Sequence, residues 1–185
     1  MNRIGVSGAA CIALAAAVSA AGAVVAAPPA GAVRANCATR SAADFPQAFT
    51  SRHNLVVGPL VIVGAGGTPT YSGSFGGQKL PLLVLAGHRV TVALSARTRK
   101  AAGLAYGPLP QGEVGFADAH RAVTFAACPR GRASGSTAGG RPATFWSGGL
   151  LARSPRCVPL LVWVDRARIP VRVVVHLGVE RCAPR

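Results

Sequence analysis

The sequence predicts an all-β fold: a disulfide-bonded antiparallel β-sandwich, immunoglobulin-like, of about seven strands. Three observations lead there. Short apolar runs recur, several alternating at period two, and none keeps a helical period. The 23 glycines and 14 prolines interrupt those runs too often for long helices. Four cysteines, Cys37, Cys128, Cys157 and Cys182, follow a leader-like N-terminus.

Met1, Asn2 and Arg3 form a short positive start, and residues 4–33 carry no charge. Small and apolar residues dominate there, so 1–32 reads as a secretory signal peptide with cleavage near 26–32, after Ala26 or Ala32. An uncleaved membrane anchor is the alternative, since the run is long enough to span a bilayer. Residues 33–53 are then an N-terminal lead-in, and 54–185 a single β-sandwich domain.

Residues 55–63 read as a strand kinked at Gly58 and Pro59. Residues 64–78 are a Gly/Ser/Thr-rich loop carrying Tyr71 and Phe75, and 80–85 form an apolar strand. Residues 88–95 alternate cleanly, with Val90, Val92 and Leu94 on one side. Residues 104–118 make a long connection. Residues 121–127 are a strand with Val123 and Phe125 inward, and 143–153 are one bulged strand or two short ones, divided at Gly148 and Gly149. Residues 157–177 form the central hairpin. Its first arm is apolar on both faces, which suits the middle of a covered sheet or a contact with another surface. Pro159 should sit at that strand's start or at a bulge.

An even number of cysteines in an exported domain implies two disulfides, with three possible connectivities. The expected pairing is Cys128 with Cys157, joining neighbouring strand ends, and Cys37 with Cys182, tying the domain's two ends together.

The formal net charge is +15. Such a surface favours polyanions such as wall polymers, nucleic acid or anionic lipid, although loop arginines also serve solubility alone. No nucleophile elbow, dinucleotide fingerprint or phosphate loop is present. The histidines His53, His88, His120 and His176 are scattered and read as structural, so no metal and no cofactor is expected. The acids Asp44, Glu113, Asp118, Asp165 and Glu180 read as partners for arginines rather than catalytic pairs. If the 104–118 connection crosses the domain once, one end gathers Arg97, Arg99, Lys100, Arg130, Arg132, Arg166 and Arg168, with Tyr71 and Phe75 beside them. If it returns to the end it left, this cluster splits.

The stretches GPLVIVGAGGTPTYSGSFGGQK, AGHRVTVALS, LAYGPLPQGEV and TFWSGGLLARSPRCVPLLVWVD together resemble a group of uncharacterised secreted proteins of high-GC actinobacteria. That resemblance implies compartment and lineage and transfers no activity. The expected function is that of a secreted, non-catalytic β-sandwich protein binding anionic cell-envelope polymers. The alternatives are an exported hydrolase with a site assembled from loops, or an accessory subunit of an envelope complex. Expected partners are anionic wall polymers or another envelope protein. No specific nucleic acid is expected, and a membrane only if the N-terminal segment is uncleaved.

Overall fold

The structure, a computed structural model, describes residues 27–109, 114–132 and 135–182. The leader expected at 1–32 thus lies outside the described residues up to Ala26, as does Glu113. Among the described residues the protein is all-β. In chain order the strands are β1 (Val33–Ala35), β2 (Asp44–Phe45), β3 (Leu55–Val57), β4 (Leu60–Ile62), β5 (Gly77–Lys79), β6 (Leu82–Leu85) and β7 (Arg89–Leu94). There follow β8 (Ala102–Ala105), β9 (Ala122–Ala126), β10 (Ser136–Ala138), β11 (Arg141–Trp146), β12 (Gly149–Ala152), β13 (Arg156–Val164) and β14 (Val171–Leu177).

Three sheets form. The first has the order β1-β9-β7-β13-β14, the second β2-β10-β11-β6-β4-β3, and the third β5-β12-β8. The expectation of purely antiparallel sheets is corrected at two edges, where β1 runs parallel to β9 and β2 parallel to β10. Both parallel partners come from the N-terminal segment 33–53, which is thereby built into the two larger sheets.

Period-two alternation decides what faces what. Val90, Val92 and Leu94 of β7 share one buried cluster with Leu60, Ile62, Leu82 and Val84 of the second sheet and with Leu104 and Leu150 of the third. That cluster is the main core. The intervening residues of the second sheet, Val61, Leu83 and Phe145, pack on the other face against Phe45, Ala48 and Phe49. In the core Tyr106, Phe125 and Trp146 meet ring to ring, with centroids 5.4 and 5.2 Å apart. The Tyr106 hydroxyl donates to the Leu80 carbonyl, and burial pushes its pKa far up, so this phenol stays neutral.

The hairpin forms where its alternation placed it, with Val158 opposite Val175 and Leu160 opposite Val173. β13 sits between β7 and β14, and both its faces find cover: Leu160 and Val162 enter the main core, while Trp163 packs with Ala32, Ala93, Ala122 and Leu161. Pro159 lies inside the strand. Its carbonyl accepts the Ser95 N–H at 3.2 Å, so its missing N–H points to the same side, just beyond the β7 ladder that begins at Leu160. The kinked strand expected at 55–63 is instead a hairpin of β3 and β4 closed by two residues, with Gly58 at φ 54° supplying the turn. The division at Gly148 and Gly149 separates β11 and β12, which belong to different sheets.

Both expected disulfides are corrected. The bonds are Cys37 to Cys128 and Cys157 to Cys182. Because β1 lies beside β9, Cys37 comes within a Cα distance of 4.8 Å of Cys128 at that strand's end. Cys157 pairs with His176 across β13 and β14, so the chain leaving β14 passes it and delivers Cys182. A Cys128–Cys157 bond would need neighbouring strand ends, and β7 separates β9 from β13.

Candidate ligand groove and the two basic ends

The connection after β8 returns to the end it left: Leu104 bridges antiparallel to His120, and the Leu94 N–H meets the Arg121 carbonyl. The predicted basic cluster therefore splits. The turn 95–101, with Arg97, Arg99 and Lys100, lies at one end, where Ser95 meets Pro159 near the start of β13. Arg130, Arg132, Arg166 and Arg168 lie at the opposite end, where Gly87 bonds Cys128 and Asp165 bonds Arg89.

A groove of about 870 Å³ opens at the first end. Tyr71, Phe75 and Phe116 bring aromatic surface to it, Lys79 and Arg153 bring charge, and Gly73, Gly76, Gly115, Ser147 and Gly148 leave its walls bare. Phe75 rides on a small hairpin in which Ser72 and Gly77 exchange backbone bonds of 2.7 and 3.1 Å. The Tyr71 hydroxyl ties this loop to the Ala152 carbonyl at 2.9 Å. Phe116 begins a 3-10 turn, Phe116–Asp118, in which the Gly115 N–H donates to the Asp118 carboxylate at 2.9 Å.

Glycine makes these approaches possible. A Cβ on Gly149 would fall 3.0 Å from the Phe75 ring and closer still to the Gln78 carbonyl, and one on Gly148 would overlap Tyr106. A Cβ on Gly103 would overlap Ala119, so the turn carrying Phe116 packs against β8 only because that side chain is absent.

The cations stand over the rings. The Arg153 guanidinium is 4.7 Å and that of Arg121 5.7 Å from the Phe116 centroid, and the Lys79 ammonium is 5.8 Å from that of Phe75. Among the described residues the one ion pair is His88 with Asp165, and neither Lys79 nor Arg153 has a carboxylate partner there. Chemically the groove offers flat apolar faces for stacking and positive charge beside them. Of the residues singled out in the sequence, Tyr71 and Phe75 line it, and Arg97, Arg99 and Lys100 flank it, since the Arg153 N–H bonds Ala101 at 3.3 Å. Lys79, Phe116 and Arg153 were not foreseen. The only available signal was an aromatic or basic residue next to glycine or at a strand's end.

At the opposite end a smaller pocket of about 480 Å³ is lined by Leu85, Ala86, His88, Arg130, Gly131, Arg141 and Pro142. There His88 Nδ1 and Asp165 Oδ2 lie 2.9 Å apart, and the Arg89 N–H donates to Asp165 Oδ1 at 2.9 Å. Partial burial works against ionising Asp165, but the Arg89 N–H, His88 and Arg130 outweigh it and hold the carboxyl below its usual range.

No family model matches the chain, and no curated protein or solved structure does so significantly. Fold and site together define a disulfide-bonded all-β domain with an aromatic, basic groove at one end.

Proposed function

We propose that this is an exported, non-catalytic binding protein whose groove takes an acidic polysaccharide of the cell envelope. The observation that carries this reading is the pairing of Phe75 with Lys79 and Phe116 with Arg153 around one groove, with neither cation in an ion pair among the described residues. Sugar rings stack on such faces, and their acidic groups meet the adjacent charges. The two disulfides are compatible with export, and no helix among the described residues is long and apolar enough to cross a membrane. The leader-like N-terminus and the resemblance to actinobacterial secreted proteins support the same compartment. We read the two larger sheets as layers of an immunoglobulin-like sandwich, on the strength of their common core rather than of strand order.

The exported-hydrolase reading would draw on His88 and Asp165. Among the described residues no serine, threonine or cysteine lines their pocket, so binding is the better reading. The accessory-subunit reading rested on an uncovered face of the 158–164 strand, and Trp163 on that face is buried.

The test is retention on immobilised heparin, used as a probe acidic polysaccharide. The wild-type protein should be retained at low salt and released as salt rises, by about tenfold in affinity over a few-fold change in ionic strength. Phe116→Ala and Lys79→Gln should each elute earlier, while Arg168→Gln at the far end should elute close to wild type. Equal losses for all three would mean diffuse charge attraction without a groove.

A further inference from the structure

We propose that the pocket at the opposite end is a second, separate site that binds a phosphate monoester. This goes beyond the polysaccharide reading and rests on different residues. Arg130, Arg141 and His88 line one pocket. Guanidiniums are donors suited to a tetrahedral oxyanion, because each fork can hold two oxygens at once.

Each of these side chains is held from behind. Arg141 stacks on Phe49, with its guanidinium 4.1 Å from the ring centroid. Arg130 occupies the corner of the turn 129–132, closed by the Arg132 N–H to the Pro129 carbonyl at 3.2 Å, with Gly131 at φ 79°. Its stem lies against Gly87, where a Cβ would come within 3.0 Å of Arg130 Cγ. His88 gives its Nδ1–H to Asp165, and among the described residues no partner is seen for Nε2, which in the neutral ring can accept the hydroxyl of a phosphate monoanion.

The frame beneath is equally tied. Ala86 N–H bonds Pro142, Gly87 N–H bonds Cys128 and the His88 carbonyl accepts the Ala127 N–H, at 2.9, 2.8 and 3.0 Å. Cys128 is itself fixed by its disulfide and by its N–H to Thr144 Oγ1 at 2.7 Å. A site on paired strands beside a cross-link keeps its geometry when empty, which favours binding.

Asp165 is the carboxylate that acts on this pocket, and the Arg89 N–H and His88 already engage both its oxygens. Of the other charges at this end, Arg89, Arg132, Arg166 and Arg168 are positive, while Asp44 stands in β2, two strands from Pro142, with Oδ1 taken by the Thr137 N–H and hydroxyl. The pocket exceeds the volume of a bare phosphate, and Leu85, Ala86 and Pro142 give it an apolar side. A compact organic body esterified to the phosphate fits that wall.

The experiment follows the four histidine side chains by NMR while the full-length protein is titrated with inorganic phosphate and then with phenyl phosphate. His88 should shift saturably while His53, His120 and His176 do not, and phenyl phosphate should bind several-fold more tightly. Arg141→Met, which keeps an apolar stem on Phe49, should weaken phosphate at least tenfold and leave the fold's spectrum intact. Phe116→Ala in the groove should leave phosphate binding unchanged, so loss of polysaccharide retention and loss of phosphate binding can be told apart. Shifts that rise linearly at all four histidines, or an Arg141→Met protein that binds as wild type does, would overturn the assignment.

Discussion

Asp165 holds a backbone φ of 52°, in the left-handed region where a short polar side chain is tolerated better than most. Its carboxylate closes the turn after β13 by taking the Arg89 N–H and facing His88. Because its folded pKa is depressed, its contribution is present above the unfolded value near 3.9 and is lost as pH falls through the lower, folded value. Asp165→Asn keeps the shape and the left-handed tolerance. It should cost roughly 0.5–1 kcal/mol at neutral pH, after discounting for solvent screening of a side chain 44% exposed. The gap to wild type should close below about pH 4, as read from urea melts across pH. The sequence offered Asp165 as a partner for arginines and His88 as a scattered structural histidine. Their meeting depends on β7 and β13 being neighbours, a long-range pairing that no local pattern states.

At the scale of elements, β12 shows why glycines were hard to read. Gly149 pairs with Lys79 of β5, and any side chain there would strike the Gln78 carbonyl and the Phe75 ring. Gly149→Val should therefore cost about 2–3 kcal/mol in thermal or urea unfolding and weaken heparin retention as Phe75 moves. In the sequence the same glycines read as a bulge or a break. The long strands β7 and β14 were legible because Val90, Val92 and Leu94, and Val173, Val175 and Leu177, show their period directly. β5, β8 and β10 were not, because Gly77–Lys79, Ala102–Ala105 and Ser136–Ala138 are short and carry little apolar contrast. β5 and β8 each take their place from one partner strand, β12, and β10 from lying between β11 and the N-terminal β2.

For the whole molecule, the disulfides are the clearest case of topology hidden from sequence. Four cysteines announced two bonds, but the partners follow from β1 lying beside β9 and from the tail passing β13. In the chain-entropy account, closing a 91-residue separation is worth about 4.6 kcal/mol and a 25-residue one about 3.5. Cys37→Ser with Cys128→Ser should then destabilise more than Cys157→Ser with Cys182→Ser, the more so because Cys128 is fully buried. Peptide mapping under non-reducing conditions should recover these two pairs and neither of the others. The positive charge was equally plain in the sequence. Its division between two ends was not, because that turned on the course of one connection, which Leu104 and His120 bring back to its starting end.

The groove is the centre of this account, and residue-resolved mapping of an acidic oligosaccharide on the isotopically labelled protein tests it most directly. Amide and aromatic shifts should concentrate on Tyr71, Phe75, Lys79, Phe116 and Arg153, saturate together, and leave Arg130, Arg166 and Arg168 unmoved. Shifts spread evenly over the arginines of both ends, with the rings of Phe75 and Phe116 unaffected, would contradict it.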